Sequence, residues 1–210
     1  FVEYVRSLLG MIQENFTYES VFRYLRSGYC EFTEDEIDRL ENYCLALGIK
    51  GYKKWQQAWA RKTKEADEEE VEKLNHLRVK FVEKIDPLMF VSRQKKKTVL
   101  DITLAVYEFI AGEHLQEKLE QQQKFFAEQG ELTLAKEYEQ ISRIVMELFD
   151  KFSELLGDEP ITLKEYCELL DAGFEEAKVG VIPPSIDQVV IGDVERTRMK
   201  DIRALFFVGA

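Results

Sequence analysis

Two histidines in 210 residues, His76 and His114, leave almost nothing from which to build a zinc site, a Ser-His-Asp triad or a Cys-His pair. Neither has a partner at ligand spacing. Cysteine is as scarce: Cys30, Cys44 and Cys167 are odd in number, widely spaced and without a C-x-x-C. That pattern fits buried or incidental thiols in a reducing cytoplasm far better than a disulfide framework. The phosphate-cradling G-x-x-x-x-G-K-[ST] is missing. Carboxylates are plentiful, yet no pair stands out as an acid/base couple, and no D…E-x-K nuclease pattern occurs in a strand context. No apolar run approaches the roughly 20 residues of a membrane helix. The opening FVEYVRSLLG has neither a basic leader nor a small-residue cleavage site, so no secretory signal and a cytoplasmic location are expected. The chain does not start with Met, and we expect it to be part of something longer.

What is present describes a core-forming chain, 45% hydrophobic and 33% charged. The net charge of −11 argues against nucleic-acid binding by the surface as a whole. The distribution is uneven, however. KGYKKWQQAWARKTK (50–64) is basic throughout and EADEEEVE follows it directly. RQKKK (93–97) is a second basic stretch, and ERTRMKDIR (195–203) a third, mixed in sign.

Most of the chain carries helical grammar. Apolar residues recur at helical spacing over 2–12. Thr17 is placed to cap a helix bearing Val21, Phe22 and Leu25, with Gly28 to end it. Thr33 and Glu36 form a capping-box pattern that opens a helix through Ile37, Leu40, Tyr43, Cys44 and Leu47, closed by Gly48. A long helix starts near Asp67 with Val71, Leu74, Leu77, Phe81 and Ile85 on one stripe, and Pro87 is expected to end or kink it. Helices follow near 98–111, with Thr98 placed to cap it and Gly112 to end it, and near 113–129. A second long helix spans about 132–156, with Leu134, Tyr138, Ile141, Val145, Leu148, Phe152 and Leu155 as its core face. Thr162 and Glu165 repeat the capping box for a helix to about Glu176. At Gly180 the pattern changes. VGVIPPSIDQVVIG holds two of the four prolines, and both are preceded by residues pushed to extended geometry. Val189 to Ile191 and Ala204 to Val208 read as short strands joined by a charged connector. The second, ALFFV, wants both faces buried and therefore a surrounding sheet.

The ending IPPSIDQVVIGDVERTRMKDIRALFFVGA resembles the B subunit of AddAB-type ATP-dependent helicase/deoxyribonucleases in its Gram-positive form. The block IPPS-x-DQV-x-IG-x-x-ER-x-R is the most specific part of it. NFTYESVFRYLRSGYCEFTEDEIDRLENYCLALGIKGYKKW (15–55) resembles the same family. The resemblance implies a mainly α architecture: a helical insertion domain of a superfamily-one helicase-like subunit, with short C-terminal strands from a partial RecA-like domain. In that arrangement 1–29 is the outgoing edge of the second RecA-like domain, 30–178 the helical (2B-like) insertion, and 179–210 the returning edge. It implies a parent complex that unwinds and degrades double-strand DNA ends for recombinational repair, with ATP, Mg2+ and an iron–sulfur cluster. Its partners would be the motor A subunit, duplex ends and single-stranded DNA. An active motif V in this family of motors reads T-x-H-x-x-K-G-L-E. Anchoring on the last strand puts Asp193, Glu195, Arg198 and Met199 at the Thr, His, Lys and Gly positions. An acid for a donor and a bulky residue for the turn glycine imply a half-motor kept as scaffold.

Candidate DNA-contacting residues are Arg196, Arg198 and Lys200, either on phosphates or paired with Asp193, Glu195 or Asp201. Trp55 and Trp59, four apart in a basic stretch, either stack on unpaired bases or belong to a core or subunit interface. RQKKK reads as a helix C-terminus, a solvated loop or a DNA-facing patch. No catalytic or metal-ligating residue is expected. The rival to a DNA-bracing scaffold is a free-standing helical protein-interaction domain without nucleic-acid binding.

Overall fold

The computed structural model describes residues 1–112 and 115–179, and these form α-helices without a strand. They are α1 (Val2–Gln13), α2 (Tyr18–Leu25), α3 (Glu34–Leu47), α4 (Tyr52–Gln56), α5 (Glu68–Arg93), α6 (Val99–Gly112), α7 (Leu115–Glu128), α8 (Leu132–Leu156) and α9 (Leu163–Val179). Among the described residues no helix is long and apolar enough to cross a membrane. The strands expected in 189–208 lie outside the described residues.

Local chemistry sets the helix starts. The Thr17 hydroxyl accepts from the Ser20 amide at 3.3 Å, and Asp67 accepts from the Glu70 amide at 3.0 Å. Thr33 and Glu36 make the full reciprocal capping box. The same exchange joins Thr98 with Asp101 and Thr162 with Glu165. Gly48 closes α3 at φ 62°, a left-handed turn that a side chain would oppose by about 1 kcal/mol.

Pro87 does not end α5. The helix runs on to Arg93. Proline removes only the bond to the Glu83 carbonyl, and both residues sit on the exposed face, where water can take that acceptor. Ile85, Leu88 and Met89, all at most 3% exposed, hold the turns on either side in the core. On α8 the described buried residues are Ala135, Val145, Phe149 and Phe152; Leu134 and Leu155, expected on the core face, are 36% and 77% exposed. At the last turn the inward position belongs to Leu156, which packs against the core in place of Leu155.

One continuous core joins α1 and α2 to the later helices. Arg6 on α1 reaches Asp171 on α9 at 2.6 Å, and Lys118 on α7 donates to the Tyr29 carbonyl at 2.6 Å. The core near α5 is aromatic. Phe81 packs on Phe16, Tyr24 and Trp55, with ring centroids 5.0–6.1 Å apart. Trp55 continues to Trp59, and Trp59 stacks on Tyr43 of α3. Phe16 enters this cluster from a turn with φ 57°, rare for a bulky residue and a cost of roughly 1–2 kcal/mol. Full burial of its ring against Tyr52, 4.8 Å away, offsets that strain. Its carbonyl accepts from the Gly51 amide at 2.9 Å, fixing where α4 begins.

Candidate nucleic-acid interface

The basic segment 50–64 is neither a long helix nor a loose loop. Only Tyr52–Gln56 is helical; the rest is pinned to α5 by polar side chains. Asn75 brackets Trp59: its Oδ1 accepts from the Trp59 amide at 2.9 Å, and its Nδ2 donates to the Trp59 carbonyl at 2.6 Å. Arg78 donates through Nη1 to the Trp55 carbonyl at 2.7 Å and through Nε to Asn75 at 3.0 Å. Its guanidinium lies 5.9 Å from the Trp59 ring centroid. The Trp59 indole donates to the Lys54 carbonyl at 3.0 Å, and the Tyr43 hydroxyl to the Arg61 carbonyl at 2.7 Å. Arg78 is 6% exposed, and burial lowers its pKa from the ordinary arginine value. Its partners are a backbone carbonyl and an amide oxygen rather than a carboxylate.

Trp55 and Trp59 are 1% and 8% exposed. Their rings are spent on Phe81, Tyr43, Arg78 and each other, so neither offers a free face to a base. Of the two readings of this pair, the packing is that of a core. The backbone between them is held inward while Lys53, Lys54, Arg61 and Lys64 stand exposed. Lys62 is tied to Glu68 at 2.7 Å. RQKKK begins as the end of a helix: Arg93 is the last residue of α5, Gln94 its C-cap, and Lys97 donates back to the Gln94 carbonyl at 3.0 Å. Lys95 and Lys96 are exposed. Arg196, Arg198, Lys200 and the motif V positions Asp193, Glu195 and Met199 lie outside the described residues.

Asn75, Arg78 and Phe16 did not emerge from the sequence as organising residues. Asn75 and Arg78 do carry a signal, being polar residues three apart on the apolar stripe of α5, where an unpaired side chain would be costly.

The groups implied by resemblance can be tested against the residues present. An iron–sulfur cluster takes four cysteine thiolates, and this chain has three cysteines. Cys44 is buried and its thiol is pushed up to about 12 by burial, as is that of Cys167. Among the described residues no cluster of three histidine, cysteine or carboxylate side chains is placed to hold a metal ion. The residues do not fit the cluster, and the sequence has no phosphate loop for ATP.

No protein-family model matches the chain. Curated proteins do. It is 46% identical over 211 residues to the ATP-dependent helicase/deoxyribonuclease B subunit of Lachnoclostridium phytofermentans, covering 99% of this chain. It is 39% identical to the B subunit of the same name from Clostridium novyi, covering 98%, and 38% identical to that of Acetivibrio thermocellus, covering 100%. The chain spans 18–19% of the length of these relatives. Over essentially its whole length it is thus homologous to a segment of the ATP-dependent helicase/deoxyribonuclease B subunit, the family its sequence resembles.

Proposed function

We propose that this chain is a non-catalytic helical brace within the B subunit of a cytoplasmic ATP-dependent helicase/nuclease, steadying DNA and its own subunit against the motor A subunit. The parent complex would unwind and degrade double-strand ends for recombinational repair. The similarity along 98–100% of the chain to proteins of that name carries the reading. A continuous core through α1 to α9 suits a rigid support. In this reading 1–29 and 179–210 are the edges of a RecA-like domain, and 30–178 is the insertion between them. Arg196, Arg198 and Lys200 in the degenerate motif V turn would hold DNA phosphates.

The test is a salt series of duplex binding by the chain and by its double variant Arg196→Ala with Arg198→Ala. Two lost phosphate contacts flatten the slope of log affinity against log salt by about 1.8. An unchanged slope removes the turn from the phosphate backbone. ATP hydrolysis by the chain alone would overturn the non-catalytic assignment.

A further inference from the structure

The fold brings two of the three basic stretches to one place. A groove of about 610 Å³ runs between α4 and the C-terminal end of α5, lined among others by Tyr52, Gln56, Asp86, Phe90, Arg93 and Gln94. Arg93 lies over the Tyr52 ring, 4.7 Å from its centroid, so the helices touch across the groove. Lys53 and Lys54 follow the lining residue Tyr52 on α4, and Lys95 and Lys96 continue from Gln94. All four are exposed, and none is in an ion pair among the described residues. The carboxylate in the lining is Asp86. Pro87 and Met89 add apolar wall, and Phe90 is 70% exposed.

The run Glu68 to Glu70 stands at the other end of α5, which has 26 residues. At 1.5 Å per residue that is roughly 35 Å along the helix from Arg93 and the lysines after it, several times the ~8 Å screening length of physiological salt. Lys53 and Lys54 lie nearer to it, because the adjoining Trp55 carbonyl is held by Arg78 in the middle of α5. The C-terminal helix dipole, negative at this end, is met by Arg93 and the lysines after it.

We infer that the α4/α5 groove is a contact site for single-stranded nucleic acid, with a base stacked on Phe90 and phosphates beside Lys53, Lys54, Lys95 and Lys96. Exposed cations around an exposed ring and an apolar wall are the two components of sequence-tolerant single-strand binding. Duplex DNA, whose bases are already stacked, has no use for Phe90. The inference rests on the reading that this chain touches DNA, and it moves the aromatic role from the buried tryptophans to Phe90.

The experiment is anisotropy of a labelled oligo-dT strand, and of a duplex of equal length, titrated with the 210-residue chain. It is repeated for Phe90→Ala, for Lys53→Ala with Lys96→Ala, and for Arg196→Ala with Arg198→Ala, each checked for unchanged melting. All the residues replaced in the first two variants are exposed, so the fold should survive them. Phe90→Ala should weaken oligo-dT binding about 5- to 150-fold and leave duplex binding unchanged. The lysine pair should flatten the single-strand salt slope by about 1.4. Wild-type affinity and slope in both groove variants, with binding lost only in the Arg196/Arg198 variant, would overturn the groove and leave the brace reading standing. Equal loss of strand and duplex in Phe90→Ala would overturn the stacking. No binding of either DNA by the wild-type chain at low salt would remove the groove and the DNA-bracing role together.

Discussion

Replacing Arg78 by methionine isolates the clamp that holds the basic segment against α5. Methionine keeps much of the aliphatic stem and its packing, but loses both hydrogen bonds and the charge. The bonds to the Trp55 carbonyl and to Asn75 are 2.7 and 3.0 Å long and come from a cation, so each contributes roughly 1.5–3 kcal/mol net. The Trp55 carbonyl then lacks this partner in the interior. Against that loss stands the desolvation of a buried guanidinium, which the variant no longer bears; burial already lowers its pKa. The balance is a destabilisation of about 3 kcal/mol, or ~6–12 °C in Tm for a chain of this size.

The assay is thermal unfolding followed by circular dichroism and by tryptophan emission. Both tryptophans of the chain, Trp55 and Trp59, belong to the clamped unit, so emission reports on it alone. Because Asn75 and Arg78 share one network, Asn75→Ala in the Arg78→Met background should cost less than Asn75→Ala alone. His76→Ala, exposed on the same helix, serves as control and should stay within about 0.5 kcal/mol of wild type. Arg78→Met melting with the control would refute the clamp.

Glu31 bridges Lys80 and Lys84 at 2.8 and 2.9 Å, and hydrogen bonds to these lysines lower its pKa to about 2. A depressed carboxylate contributes stability above its unfolded pKa and loses it as pH falls through the folded value. Glu31→Gln should therefore cost no more than ~1 kcal/mol at pH 7, the side chain being partly exposed, with the difference closing between about pH 4.5 and 2 in parallel melts. Burial raises Cys44 from 9.0 to about 12, so its thiolate fraction at pH 8 falls on the order of a thousandfold, and iodoacetamide should label it only after unfolding. The Tyr52 hydroxyl is buried with no hydrogen-bond partner among the described residues. Tyr52→Phe removes that orphan and should raise Tm by a few degrees, corresponding to about 1 kcal/mol; a fall in Tm would mean the hydroxyl is satisfied.

Features governed by a few neighbouring residues were legible in the sequence. Thr17, Thr33, Asp67, Thr98 and Thr162 mark their helix starts because a cap bonds within three residues of itself. The stripe Val71, Leu74, Leu77, Phe81 and Ile85 is buried as its spacing implied. Pro87 was expected to end or kink α5, and it does not end it, because its rule is local while its tolerance is tertiary: buried neighbours on both sides carry the helix through. The tryptophan pair was ambiguous because adjacent lysines suggest a surface, whereas the Asn75 and Arg78 that draw the backbone inward come from 16 to 23 residues away. The α4/α5 groove was illegible for the same reason. Its two halves are far apart in sequence and are joined by tertiary contacts: the turn at Phe16, the bond of Arg78 to the Trp55 carbonyl, the packing of Phe81 on Trp55 and the contact of Arg93 with Tyr52.

The central claim, that this helical unit braces DNA without catalysing, turns most directly on whether the wild-type chain binds DNA at all. Anisotropy of a labelled strand, titrated with the chain from low to moderate salt, answers that in one series. Weak binding whose logarithm falls linearly with log salt is the expected result. A folded chain that leaves the anisotropy flat at the lowest salt would contradict it, and would make the unit a support that faces protein alone.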